Sequence, residues 1–317
     1  MRSVTRTTAT ALGLALAACG NYSTEDLRFL AALPTRSDLS VAVPADASSG
    51  AATVCPIGPA DVWLRAKPTS DNLNAGVRFV VSLIDVVRHY PPTAREKDLR
   101  RWGPFPDEKH PGREIQIVIE RTYPAGPDGA PVHDYRFEGR RAGDPAFDPL
   151  IAGTFEGASS SRGHGTVDLY FENFWSLGMN DDTTPHGTML IAYDRVSDPV
   201  TIALDLTNDG FGVVQFGYGF AGYADGRGRF DYRFRKLNGD VLTVVTGYDA
   251  AGAGRAAVAY AAAGGGTGSF RQCWDSSACL TYVDDPFNFS CIVPPCSGGS
   301  YAACPVDIPA PWPFPPP

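Results

Sequence analysis

Histidines close in sequence to carboxylates are the first candidates for chemistry in this chain. His164 sits in Arg162-Gly163-His164-Gly165 with Asp168 four residues on, and His186 follows Asp181-Asp182-Thr183-Thr184-Pro185. An imidazole held by a carboxylate is a unit of general acid–base catalysis, and two such units brought together would also suit a metal ion. His164, His186, Asp168 and Asp182 are therefore where a hydrolase would be built. Each also has a plainer reading as a surface-loop residue, since glycines flank both histidines as tight turns require. No Gly-x-Ser-x-Gly, His-Glu-x-x-His, phosphate-binding loop or dinucleotide fingerprint accompanies them. Asp205-x-Thr207-x-Asp209-Gly210 begins like a calcium loop, but Phe216 stands where the bidentate acid is needed. The sequence names no catalytic residue, metal or cofactor.

Cysteines are the second candidates. Apart from Cys19 they are Cys55, Cys273, Cys279, Cys291, Cys296 and Cys304. Their spacings do not form the tight pairs of a zinc site, no histidine lies nearby, and there is no Cys-x-x-Cys turn for redox work. An even set of six then reads as three disulfides with open connectivity. Cys55 lies far from the others, so full pairing would tie the start of the folded domain to its end.

Cys19 closes the stretch Leu16-Ala17-Ala18-Cys19, behind Arg2, Arg6 and an apolar run from about Ala9 to Ala18. This stretch resembles the lipobox of bacterial lipoproteins. The order of basic start, apolar run and small residues is that of a secretory signal, and the run is too short to span a bilayer. The resemblance covers residues 1–19 only. It implies removal of residues 1–18, diacylation of Cys19 and a lipid-anchored place in the cell envelope. Gly20, rather than an aspartate, after the cysteine points to the outer membrane. The membrane is then the expected partner, through the lipid on Cys19.

The chain has 317 residues and a net charge of -8. Residues 1–18 carry two arginines and no acid, so their removal leaves -10. An acidic chain is a poor match to nucleic acid or to an anionic lipid surface.

The elements that must position these residues are mostly strands. Ser23-Thr24-Glu25-Asp26 caps a short helix stopped by Pro34, which leaves only a short tether after Cys19. Short strands are expected at 39–43 and 61–66. Leu73, Val77, Val80, Ile84 and Val87 recur at steps of three and four and predict a helix over 71–89. Trp102-Gly103-Pro104-Phe105-Pro106 reads as a rigid loop that packs its aromatics inward. From about 113 the period becomes two, as in Phe230, Tyr232 and Phe234 against Arg229, Asp231, Arg233 and Arg235. Turn residues recur at short intervals, with Asn238-Gly239 the strongest hairpin signal. Eleven strands are expected between 114 and 274.

The fold class is thus mainly β: a curved antiparallel meander sheet, or a barrel, of about eleven strands with one packed amphipathic helix. It divides into a signal (1–18), an anchor with a short helix (19–34), a β-rich domain (35–275), a Cys-rich segment (276–304) and a Pro-rich tail (305–317). In outline this is similar to the Lol lipoprotein carriers, whose curved sheet wraps helices around an apolar cavity. That likeness implies a hydrophobic ligand rather than catalysis. The alternatives are the two-histidine hydrolase and a carbohydrate-binding surface protein using exposed Trp63, Trp102, Trp175 or Trp274. The aromatics clustered between Phe171 and Phe234 either fill the core or line a pocket.

Overall fold

The computed structural model describes residues 22–40, 55–65, 74, 81, 89–123, 131–157, 163–181, 184–207, 212–286, 297–300 and 304. Cys19, Asp182, Cys291, Cys296 and the tail after Cys304 lie outside these residues. So does most of the helix expected over 71–89; of its described residues, Asn74 and Val81 are α-helical, His89 lies in a 3-10 turn, and Val81 is buried in the core.

Among the described residues fifteen strands form one antiparallel sheet. They are β1 Ala94–Arg95, β2 Leu99–Pro106, β3 Arg113–Thr122, β4 Val132–Arg141, β5 Asp148–Gly157, β6 Gly163–Tyr170, β7 Thr188–Asp194 and β8 Val200–Thr207. The series continues with β9 Val213–Gly222, β10 Gly228–Lys236, β11 Val241–Tyr248, β12 Gly254–Ala261, β13 Thr267–Trp274, β14 Leu280–Asp284 and β15 Ser297–Gly299. Every strand pairs with its neighbours in sequence, so the meander holds from end to end.

Three expectations need correction. The count is fifteen rather than eleven, because strands flank the period-two region on both sides. β2 contains Gly103 and Pro104, which break its alternation; the register shifts between Trp102 and Phe105, and the bulge lets a proline sit in a paired strand. On the other side, β14 and β15 make part of the Cys-rich segment 276–304 a continuation of the sheet. The barrel is not formed either, since no ladder joins β15 to β1 among the described residues. Two and three residues long, these outermost strands offer little edge for further pairing. Finally, residues 61–65 are helical rather than extended; of the strand expected at 39–43, Leu39 ends a helix and residues 41–43 lie outside the described residues.

Alternation gives the sheet two faces. One, the covered face, carries Ile117, Ile119, Tyr135, Phe137, Phe155, Val167, Ile191, Ile202, Tyr218, Phe230, Val244 and Trp274, all buried in one core. Helices α1 (Thr24–Ala31) and α2 (Arg36–Leu39) contribute Phe29, Leu30 and Leu39 to the same core, as the 61–65 turn does Val62 and Trp63. A third helix, α3 (Phe171–Leu177), follows β6 directly and buries Phe171, Phe174 and Leu177. Gly178 ends it in the left-handed conformation. Glycine is obligatory at one covered-face position: a Cβ on Gly153 would lie 2.2 Å from the Thr166 carbonyl and 2.4 Å from the Tyr135 ring. Tyr135 lies over that gap and donates its hydroxyl proton to the same carbonyl at 2.7 Å.

Candidate functional site

The covered face is roofed by three short segments, each fixed to different strands. α1 is held to β1–β3 by charge. Its Asp26, completely buried, accepts from Arg100 Nε at 2.6 Å and Arg95 Nε at 3.0 Å, while Ser23 closes the capping box. Burial pushes this carboxyl up, but the Ser23, Arg100 and Arg95 hydrogen bonds win and hold it at about 2. Glu25 pairs with Arg121, and Phe29 packs under both the Arg100 and Arg121 guanidinium groups. At α2, the Arg195 side chain donates to the Asp38 carbonyl at 2.6 Å and to that of Ser40 at 3.1 Å.

The third segment, the 61–65 turn, sits over β10–β13. Trp63 lies 5.3 Å from Tyr248, 5.5 Å from Trp274 and 6.3 Å from Phe230, ring centre to ring centre. The Val62 amide donates to Gln272 Oε1 at 3.3 Å. Beside Trp63 the turn does not reach the floor, and a cavity of about 230 Å3 remains. Its floor is the register row Tyr232, Val244, Val258 and Phe270, extended by Leu242, and Asp61 and Arg65 stand opposite. The walls are apolar and aromatic with one cation and one anion, the usual make-up of a small-molecule pocket. Burial raises the Tyr232 phenol, an effect that the Arg65 charge partly offsets.

The next register row is Phe230, Thr246, Ala256 and Gln272. Thr246 and Gln272 are both fully buried, two strands apart across the small Ala256. Neither the Thr246 hydroxyl nor Gln272 Nε2 has a hydrogen-bond partner among the described residues. Buried polar groups without partners are rare and expensive; these two lie one register row beyond the residues that line the cavity.

The sequence-derived candidates do not converge. His164 opens β6 and faces Glu156 of β5 at 3.3 Å. His186 precedes β7, where Glu172 of α3 accepts from it at 3.1 Å and Trp175 stacks on it at 4.5 Å. In the β6–β7 ladder His164 pairs with Asp194 and Tyr170 with Thr188, so the two histidines stand at opposite ends. Six strand residues separate those ends by about 20 Å. Asp168 lies mid-strand, with its carboxyl raised by burial, and contacts neither. The acids that do meet the histidines, Glu156 and Glu172, are set by register and by α3, signals absent from sequence proximity. No three histidine, cysteine or acidic residues gather as a metal set among the described residues. The tryptophans named as glycan platforms are elsewhere engaged: Trp63, Trp102 and Trp274 are buried, and Trp175 stacks on His186.

No family model, curated protein or solved structure matches the chain.

Cysteine placement completes the frame of the site. Cys55 is bonded to Cys279 and Cys273 to Cys304. The first bridge closes 224 residues and, with the Pro59–Cys279 backbone bridge, fixes the start of the 61–65 segment against the last hairpins. The expected tie between the start and end of the domain is thus present for Cys55, and it positions the roof of the cavity. Tyr232 belongs to the aromatic cluster that the sequence offers as core or pocket lining, whereas Arg65, Val244 and Val258 carry no signal beyond ordinary core and surface positions. Strand pairing unites Tyr232, Val244 and Val258, and the helical 61–65 turn brings Arg65 over them.

Proposed function

We propose that this chain is a lipid-anchored protein of the bacterial cell envelope, sorted to the outer membrane, that binds an apolar ligand without chemical turnover. The anchor is Cys19. Its support is the lipobox-like stretch at 16–19, together with two disulfides, which persist in oxidising compartments. The single observation carrying the binding role is the cavity between the 61–65 turn and the Tyr232, Val244, Val258 and Phe270 row. The ligand is small and mainly hydrophobic, with an oxygen at its buried end for Thr246 and Gln272. The sheet curves around the roof in this reading, as in the Lol carriers, though here chain segments already occupy much of the covered face.

Two measurements test this. In cell fractionation the wild-type chain is expected in the membrane and Cys19→Ala in the soluble periplasm; identical partitioning would remove the anchor. Native mass spectrometry of exported Cys19→Ala, purified without detergent, should retain a stoichiometric non-covalent mass that solvent extraction identifies. A clean apo mass, unchanged after incubation with a lipid extract, would remove the ligand.

A further inference from the structure

The face opposite the helices holds a second feature. On β10–β13 the charged side chains alternating outward are Arg229, Asp231, Arg233, Arg235, Arg255 and Arg271, so one carboxylate meets five guanidinium groups in a chain of net charge -8. That carboxylate is taken: Arg229 Nε donates to Asp231 at 2.8 Å, and both are buried. Arg233, Arg235 and Arg271 make no ion pair or side-chain hydrogen bond among the described residues, and Arg235 Nε is buried without a partner.

On the same face lies an open groove of about 520 Å3. Its floor is Val241 and Thr243 of β11, Ala259 and Ala261 of β12, and Thr267 and Ser269 of β13. Thr243 pairs with Arg233 and Val241 with Arg235, so both arginines stand on the next strand, beside the groove. Arg271, one same-face position beyond Ser269, stands at its end. Small side chains leave the groove deep enough to receive a ligand, and three hydroxyls face upward from it. Two carboxylates lie near: Asp231, which Arg229 engages, and Asp284 of β14, which stands opposite Arg271 in the ladder without forming an ion pair with it.

We propose that this groove binds an anion carrying two or more phosphate groups in line. Guanidinium forks recognise phosphate oxygens in bidentate fashion, and residues two apart on a strand place two forks about 7 Å apart. The Thr243, Thr267 and Ser269 hydroxyls supply further donors, and Tyr260 completes the lining. A soluble oligophosphate and a phosphate-bearing lipid headgroup share this chemistry. The site is on the other face of the sheet from the apolar cavity and does not depend on it.

The test uses the full chain in low salt with two probes: inorganic tripolyphosphate by calorimetry, and phosphatidylglycerol vesicles by co-sedimentation against neutral phosphatidylcholine vesicles. Saturable binding of either probe is expected, weakened by about tenfold or more in Arg233→Gln/Arg235→Gln. Thr243→Glu leaves both arginines in place and puts a carboxylate beside Arg233; it should abolish the same binding while the thermal midpoint stays near wild type. Arg227→Gln, outside the groove, should bind as wild type. Binding of tripolyphosphate identifies a soluble source, and binding of vesicles alone identifies the headgroup. Absence of binding to both probes, or binding untouched by Thr243→Glu, would overturn the proposal.

Discussion

Asp26 on α1 and Arg100 on β2 meet at 2.6 Å with both side chains buried, 74 residues apart in sequence. This pair fixes the roof of the covered face to the sheet. Replacing Asp26 with Asn leaves the Arg100 charge buried beside a neutral amide. Breaking one side of a buried pair costs about 3–5 kcal/mol. Asp26→Asn is therefore expected to lower the stability in denaturant by that order. Hydrogen exchange should accelerate in α1 before it does in β9–β12.

Acid should weaken the same region in two stages. His133 is buried between Phe29 and Phe155. Burial, and then the Arg121 charge, lower its pKa, against smaller opposing effects of Asp134 and Glu25. A histidine depressed below its unfolded value of about 6.5 contributes fully above that pH and loses its contribution as pH falls through the folded value. Asp26, held at about 2 against 3.8, contributes fully above its unfolded value and is lost as pH falls from there towards 2. Stability should decline first below about pH 6.5 and again below about pH 4. In His133→Leu the upper decline should vanish and the lower one remain. Urea melts across pH resolve the two.

Thr246→Val replaces an unpartnered buried hydroxyl by a methyl of the same shape. Relieving such a group recovers about 1–3 kcal/mol. The ligand-free variant should melt higher than wild type while binding the extracted ligand more weakly. A lower midpoint with unchanged affinity would show that the hydroxyl is satisfied within the protein.

Cys55→Ser opens the loop of 224 residues. By chain entropy, a disulfide that closes a loop this long contributes about 5 kcal/mol by restricting the unfolded chain. The variant should lose that much, and it should also lose cavity binding at temperatures where the sheet remains folded, because the bridge sets the 61–65 turn. A reducing agent, which opens the Cys273–Cys304 bridge as well, should lower the stability of wild type by at least as much.

Much of the sheet was legible because burial on one face imposes a period of two. The strands expected from 114 to 274 correspond to β3–β13 within a few residues, and the Ser23 cap announced α1. What failed had local causes. Gly103 and Pro104 hid β2 behind a bulge, and Val62-Trp63 looked like strand material until their burial under α-helical geometry was seen. The site was less accessible. His164 and His186 looked related because each has an acid nearby in sequence, whereas register separates them and gives each a different acid. The cavity row Tyr232, Val244, Val258 and Phe270 comes from four strands and carries no motif. Only the ladders assemble it.

The most direct measurement is a fluorescence titration of an environment-sensitive apolar probe into wild type and Val244→Phe. The added ring enters the cavity floor, where space is already present, so folding should be preserved. Wild type should bind the probe at one site, and Val244→Phe should bind it at least about tenfold more weakly with an unchanged circular dichroism spectrum. Equal affinity in the two chains would contradict the assignment of the cavity as the binding site.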